Sequence, residues 1–160
     1  MNPPQPQSSA HSMGSPLVAG LLHHVEVWVP DLQRAISEWG WLLEQIGYTP
    51  FQEWPDGCSW RLGPTYIVFE QSPALSASTH DRMRPGLNHL AFHVTDTATL
   101  DSLVGEAPHH GWTLLFPDEH PHAGGRHQHA AYLENSDKFE VELVAIPSTR
   151  GTEPHGTPES

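Results

Sequence analysis

The 160-residue chain is poor in cysteine and in basic residues. Its one cysteine, Cys58, cannot form an internal disulfide and excludes a cysteine-rich zinc site, and we expect a buried or inert thiol. Seven Lys and Arg stand against 19 Asp and Glu, a formal net charge of −12, which argues against binding nucleic acid or an anionic membrane through a basic surface. No apolar run approaches the roughly 18 residues of a membrane span, and residues 1–17 lack the features of a secretory signal. We therefore expect a cytoplasmic protein whose partner is a small molecule or a cation.

The length of the chain predicts one domain and excludes two separate enzymatic domains. Residues 1–16 and 147–160 are rich in proline and have little apolar surface, so we expect both segments to be flexible tails. The predicted domain is therefore residues 17–146, with a first module at about 17–75 and a second at about 86–146.

An internal repeat lies inside this domain, where residues 22–31 align with residues 87–96. Four pairs of positions carry identical residues: Leu22 and Leu87, His24 and His89, Val29 and Val94, and Asp31 and Asp96. Apolar residues alternate in each copy with the period of a half-buried strand, and the closing aspartate is placed as a helix N-cap. The repeat therefore predicts a strand followed by a helix in each half.

Each half continues with a helical pattern and then a hairpin. The hairpin strands are predicted at 59–62 and 65–70 in the first half, and at 130–134 and 139–144 in the second. The predicted fold is α+β, with two βαβββ modules whose cupped mixed sheets surround one site. Each module carries a histidine on its first strand and a glutamate on its last, which are His24 with Glu70 and His89 with Glu142.

Two imidazoles and two carboxylates on rigid strands are suitable ligands for one divalent metal ion. Ni, Zn, Co, Mn or Fe(II) would accept His24, Glu70, His89 and Glu142 together. Two open positions would remain for a substrate with two adjacent oxygens, which the metal would polarise as a Lewis acid.

The sequence resembles the vicinal oxygen chelate superfamily, which contains glyoxalase I, extradiol dioxygenases, fosfomycin-resistance enzymes and bleomycin-resistance proteins. The resemblance is carried by residues 22–32 (LHHVEVWVPDL), 85–94 (PGLNHLAFHV) and 132–144 (YLENSDKFEVELV). It implies that His24, His89 and Glu142 bind the metal and that Glu70 is the fourth position. Glyoxalase-like members carry Glu or Gln there, whereas two-His-one-carboxylate dioxygenases leave that position open. By resemblance, Glu142 or Glu70 is the base that moves a proton between adjacent carbons.

Several further residues are candidates for the site. The residues that share a strand face with the predicted ligands are Glu26, His93 and Glu140. The arginines that could hold an anionic substrate group are Arg61 and Arg126. The aromatic residues that could line a cavity or belong to the core are Trp28, Trp60, Tyr66 and Trp112. The histidines around Gly124 and Gly125 that could form a second metal site are His120, His122, His127 and His129, although a lid is the better use of such a segment.

The leading functional hypothesis is a metal-dependent, glyoxalase-like lyase or isomerase acting on a small molecule with vicinal oxygens. One alternative is an extradiol-type Fe(II) dioxygenase, which requires Glu70 to lie away from the metal. The other is a metal-free drug-binding protein of the bleomycin-resistance type. We expect a homodimer, and the sequence leaves open whether the site forms within one chain or between two.

Overall fold

The computed structural model describes residues 19–147 and shows one order of elements twice. The first module contains β1 (His24–Trp28), α1 (Leu32–Gln45), β2 (Thr49–Trp54), β3 (Gly57–Leu62) and β4 (Thr65–Glu70). The second contains β5 (His89–Val94), α2 (Thr97–Glu106), a 3₁₀ helix (Ala107–His110), β6 (Trp112–Leu115), β7 (Ala130–Asn135) and β8 (Glu140–Ala145). The predicted α+β fold of two βαβββ modules is confirmed.

Each module forms a four-stranded mixed sheet with its first strand at one edge. The strand orders are β1-β4-β3-β2 and β5-β8-β7-β6. The β1–β4 and β5–β8 pairs are parallel, and the remaining pairs are antiparallel. Residues paired across two strands place their side chains on the same face of the sheet. These pairings therefore determine which side chains face away from the helices.

Aspartate caps start both helices, as the repeat predicts. Asp31 Oδ1 accepts a hydrogen bond from the Arg34 amide at 2.9 Å, and Asp96 Oδ1 accepts one from the Thr99 amide at 2.8 Å. The apolar positions of α1 that recur every three or four residues are buried. The caps and the apolar face together account for where α1 begins and how it packs.

Trp39 of α1 joins the cores of the two modules. Its ring lies 4.9 Å from Phe69 of the first module and 5.0 Å from Trp112 of the second, measured between centroids. Trp112 Nε1 donates a hydrogen bond to the Glu38 carbonyl oxygen at 3.0 Å. Arg34 extends the contact through an ion pair with Asp137 at 2.8 Å. The modules of one chain are therefore held together through α1.

The predicted tails fall almost entirely outside this description. The tail at 1–16 and all of the tail at 147–160 except Pro147 lie outside the described residues. Across residues 19–147, no helix combines the length and the apolar character needed to cross a membrane.

The linker between the modules, residues 71–88, is attached to the second module by a stacked ring. His80 lies on Phe139 with a centroid separation of 4.0 Å and an interplanar angle of 11°. Burial lowers the pKa of His80 from its ordinary value of 6.5, an effect that Asp81 opposes and Arg82 reinforces. The folded protein therefore favours the neutral ring.

The stabilisation from neutral His80 should be fully present above pH 6.5 and lost as the pH falls through the folded-state pKa. His80→Phe keeps an aromatic stack without the titrating group. We expect the melting temperature of this variant to rise relative to wild type as the pH falls from about 7 to about 5. A gap in melting temperature that stays constant with pH would contradict this assignment.

Candidate functional site

The second module brings its histidine and its glutamate together. In the β5–β8 register His89 lies opposite Glu140 and Ala91 opposite Glu142, so His89 and Glu142 share a sheet face. His89 Nε2 lies 3.5 Å from Glu142 Oε2. His89 Nδ1 lies 2.8 Å from Asn88 Oδ1, which leaves Nε2 as the acceptor when Nδ1 carries the proton.

This geometry matches the chemistry of a metal ligand pair. Two atoms bonded to one ion at 2.0–2.2 Å stand about 3 to 3.5 Å apart, so a cation fits between Nε2 and Oε2. The Asn88 contact orients the imidazole by its other nitrogen, as is usual for histidines that bind metals. His89 and Glu142 therefore form a half-site suited to a divalent ion.

Tyr132 orients the carboxylate of Glu142. Its hydroxyl donates a hydrogen bond to Glu142 Oε1 at 2.9 Å, which leaves Oε2 towards His89. Burial, followed by the hydrogen bond to Glu142 and the negative charges nearby, raises the pKa of Tyr132 to about 12. The phenol therefore stays a proton donor at neutral pH.

A loop between β6 and β7, residues 116–129, covers this carboxylate and is called the roof loop below. A Cβ atom placed at Gly124 would lie 3.1 Å from the Tyr132 hydroxyl and 3.2 Å from Glu142 Oε1. These contacts are tight enough that a side chain at Gly124 would push on the pair. The absence of a side chain there lets the loop approach the carboxylate closely.

Glu140, the other carboxylate of β8 on this face, is already neutralised. Arg82 of the linker pairs with it at 2.7 Å and also with Glu134 of β7. Burial alone would raise the pKa of Glu134, but hydrogen bonds from Lys138 and Arg82 hold this pKa below its usual value. Glu140 and Glu134 therefore belong to a structural ion-pair network, and Glu142 is the carboxylate left for chemistry on this face.

The first module places its predicted ligands apart. In the parallel β1–β4 register His24 lies opposite Tyr66, whereas Glu70 lies opposite Trp28. Four residues of strand separate His24 from Glu70, which is about 13 Å. The expectation that these two side chains lie near each other is therefore wrong.

The cause is a two-residue offset in the repeat. Aligning the two registers places Val68 of β4, not Glu70, at the position of Glu142. Within residues 19–147, no three His, Cys, Asp or Glu side chains already meet around one point. The assignment of His24, Glu70, His89 and Glu142 as metal ligands remains a prediction.

His24 is exposed and lies among aromatic residues. Its ring stacks on Tyr66 at 4.9 Å, and its Nδ1 lies 2.8 Å from Nδ1 of His23. Phe51 packs against the other side of the cluster, 5.5 Å from Tyr66, with Arg61 over its ring at 4.9 Å. The first module therefore presents an imidazole on an aromatic face with one arginine beside it.

A cavity of about 320 Å³ opens between the modules. Glu26 and Trp28 of β1 line one side, and His89 and Glu140 line the other. Glu26 accepts a hydrogen bond from Trp28 Nε1 at 2.8 Å. The cavity therefore brings a carboxylate of the first module to the same space as the histidine of the second.

The remaining candidates divide between core and surface. Trp60 and Trp112 are 4% and 0% exposed and belong to the core, as does Cys58. Burial raises the pKa of the Cys58 thiol to about 11, in keeping with the expected inert thiol. His93 and Arg126 are exposed.

Sequence reasoning missed Tyr132 and Arg82. Tyr132 could have been found by counting across the second hairpin, because antiparallel pairing about residues 135–139 places residue 132 opposite residue 142. Arg82 gives no such signal, since the linker is irregular and its contacts with Glu134 and Glu140 depend on the folded chain.

Comparison with known proteins places the chain in a family. The model of the Glyoxalase/Bleomycin resistance protein/Dioxygenase superfamily matches residues 23–132. Over 126 residues the chain is 40% identical to the uncharacterized protein YqjT of Bacillus subtilis (strain 168), covering 78% of this chain and 98% of YqjT.

Similar solved structures support the same family. The crystal structure of a candidate glyoxalase from Bacillus halodurans matches with a TM-score of 0.76 and 40% identity, covering 80% of this chain and 97% of that one. A glyoxalase/bleomycin resistance protein from Albidiferax ferrireducens T118 shares the fold at a TM-score of 0.63 and 20% identity, over 79% and 98% of the chains. The chain therefore belongs to the glyoxalase/bleomycin resistance protein/dioxygenase superfamily, which confirms the resemblance seen in the sequence.

Tyr132→Phe tests the hydrogen bond to Glu142. Removing a group that orients a metal ligand costs about 10-fold to 100-fold in metal affinity, and we expect a loss in this range at an unchanged fold. A competition titration with a chromophoric chelator measures the affinity. Tyr48→Phe, which changes a tyrosine distant from Glu142, is the matched control. Equal losses in the two variants would contradict a specific role for Tyr132.

Proposed function

We propose that this protein is a metal-dependent lyase or isomerase of the glyoxalase type that acts on a small molecule with vicinal oxygens. The observation that supports it most directly is the 3.5 Å separation of His89 Nε2 and Glu142 Oε2, with Tyr132 bonded to the other carboxylate oxygen. Both side chains project from the same face of two hydrogen-bonded strands, β5 and β8, which gives the rigidity that a reactive pair needs.

The donors available for an ion are His24, His89 and Glu142. Glu70 is left out of this set because it lies at the opposite end of the β1–β4 pair from His24. An imidazole and carboxylate set of this kind suits Ni, Zn, Co, Mn or Fe(II), and the bound ion would supply Lewis-acid polarisation of two adjacent substrate oxygens.

Glu142 is the proposed proton carrier. Its Oε2 would take the proton from one substrate carbon and return it to the neighbouring carbon, while Tyr132 holds Oε1 in place. Arg82 neutralises Glu140, so the second carboxylate of β8 does not compete for the proton. The roof loop would exclude water from Glu142 during the transfer.

Val68 gives a specific reason to retain the dioxygenase as a second candidate. Val68 occupies the position in the first module that matches Glu142 in the second. The two modules together therefore offer two imidazoles, His24 and His89, and one carboxylate, Glu142. This donor set is typical of non-haem Fe(II) oxygenases. Oxygen consumption by the iron-loaded protein with a catechol would favour this reading over proton transfer.

Glu142→Gln separates the role of the base from that of the ligand. The amide keeps one oxygen donor but cannot accept the proton, so turnover should fall about 10²-fold to 10⁴-fold while metal is retained. Glu70→Gln is the matched control and should stay close to wild type. Turnover is followed on a panel of adducts between 2-oxoaldehydes and thiols, with metal content measured on the same samples.

The metal content of protein purified without chelator also tests the proposal as a whole. Nickel, zinc or cobalt would support the isomerase, and iron the dioxygenase. A chain that binds none of these ions would overturn both and favour the metal-free drug-binding protein. Full turnover by metal-loaded Glu142→Gln would reject glutamate as the base.

We further propose that the site is completed between two copies of the chain. Phe51 is 42% exposed and packs on Tyr66, on which the exposed ring of His24 also stacks. Such an aromatic face, next to a metal-binding type of side chain, suits contact with the second module of a partner. His24 of the partner subunit would then join His89 and Glu142.

Mixing two inactive variants tests the shared site. In a dimer of His24→Gln with Glu142→Gln subunits, one of the two sites would contain only unmodified donors. After exchange of subunits we therefore expect activity to return to about one quarter of wild type, because half of the dimers are mixed. A site built within one chain would show no recovery.

A further inference from the structure

A group of histidines in the roof loop is not used by the proposed reaction. The ring of His129 lies 6.3 Å from that of His120 and 6.1 Å from that of His122, between centroids. His120 and His129 are half-buried, whereas His122 is exposed. His129, which directly precedes β7, therefore has an imidazole near its ring on each of two sides of the loop sequence, although the three rings do not yet meet around one point.

Two of these rings are each oriented by a hydrogen bond from one ring nitrogen. His122 Nδ1 lies 2.9 Å from the Gln128 carbonyl oxygen, and His129 Nε2 lies 3.1 Å from Asp101 Oδ1 of α2. A carbonyl or carboxylate oxygen can only accept, so these nitrogens carry the protons. The lone pairs of His122 Nε2 and His129 Nδ1 are left free. Histidines that ligate metals show this same pattern, with one nitrogen donating to an oxygen.

The third ring is that of His120. His120 Nδ1 is buried and has no hydrogen-bond partner among the described residues. An unpartnered buried polar atom is costly, and it is the kind of atom that an unoccupied ligand site leaves behind.

We propose that His120, His122 and His129 form a tri-histidine site for a Zn²⁺-like divalent cation, separate from His89 and Glu142. Rings bound to one such ion have centroids about 5 Å apart, given metal–nitrogen bonds of about 2.0–2.1 Å. His120 and His122, at 6.3 and 6.1 Å, would each have to move about 1 Å closer to His129, and the ion would have to draw these two rings together as well. Side-chain rotation in a surface loop supplies a movement of this size.

The ion would have a structural role. Asp101 connects His129 to α2, and the roof loop carries Gly124 against Tyr132 and Glu142. An ion held by three loop histidines would therefore fasten the loop over the carboxylate of the candidate site. Three protein ligands leave one tetrahedral position for water.

The test is a Zn²⁺ titration of the untagged full chain against a chromophoric chelator. We expect the double variant His122→Gln with His129→Gln to bind one equivalent fewer per chain than wild type. His127→Gln, a change in the same loop outside the three rings, is the matched control and should bind as much as wild type. Undiminished binding by the double variant, or an equal loss in His127→Gln, would overturn the proposal.

A second measurement separates lost binding from lost folding. With chelator present, the double variant should melt at nearly the wild-type temperature. Added Zn²⁺ should then raise the melting temperature of wild type more than that of the variant. Glu142→Gln should keep the loop equivalent, so that failure of this proposal can be told apart from failure of the proposed function. Equal Zn²⁺ stabilisation of wild type and the double variant would count against the loop site.

Discussion

The candidate site depends on the register of one parallel strand pair, β5 with β8. Because Ala91 lies opposite Glu142, the neighbouring His89 reaches the same carboxylate across the sheet face, with 3.5 Å between the two polar atoms. A shift by one residue would turn Glu142 into the core and expose Val141, which is fully buried. Burial of the apolar face therefore holds His89 and Glu142 in place.

The surroundings of this pair combine structural charges with one free carboxylate. Arg82 compensates Glu134 and Glu140, whose burial without a cation would be costly. Tyr132 donates to Glu142 without neutralising it. Strand β8 thus carries Glu140, which is held in an ion pair, and two residues later Glu142, which has no lysine or arginine side chain paired with it among the described residues.

The two modules carry different residues at matching positions. The second keeps a histidine with a glutamate in contact, whereas the first keeps His24 but has Val68 where the glutamate would stand. Glu70 lies one strand repeat too far along the chain to replace it. Around His24 stand the aromatic rings of Tyr66 and Phe51 instead of a carboxylate.

The amino-acid sequence alone determined the repeated fold, the helix caps at Asp31 and Asp96, and the face on which His24 and His89 lie. These features depend on local spacing: the period of two in strands and a single capping residue. The tertiary structure decided which residues meet. Aligning the ends of the last strands by their glutamates paired Glu70 with Glu142, but the parallel register pairs Val68 with Glu142 instead. A parallel partner is joined through a long crossover, so its register is set by packing against α1 and α2 and not by any short turn that could be counted along the chain.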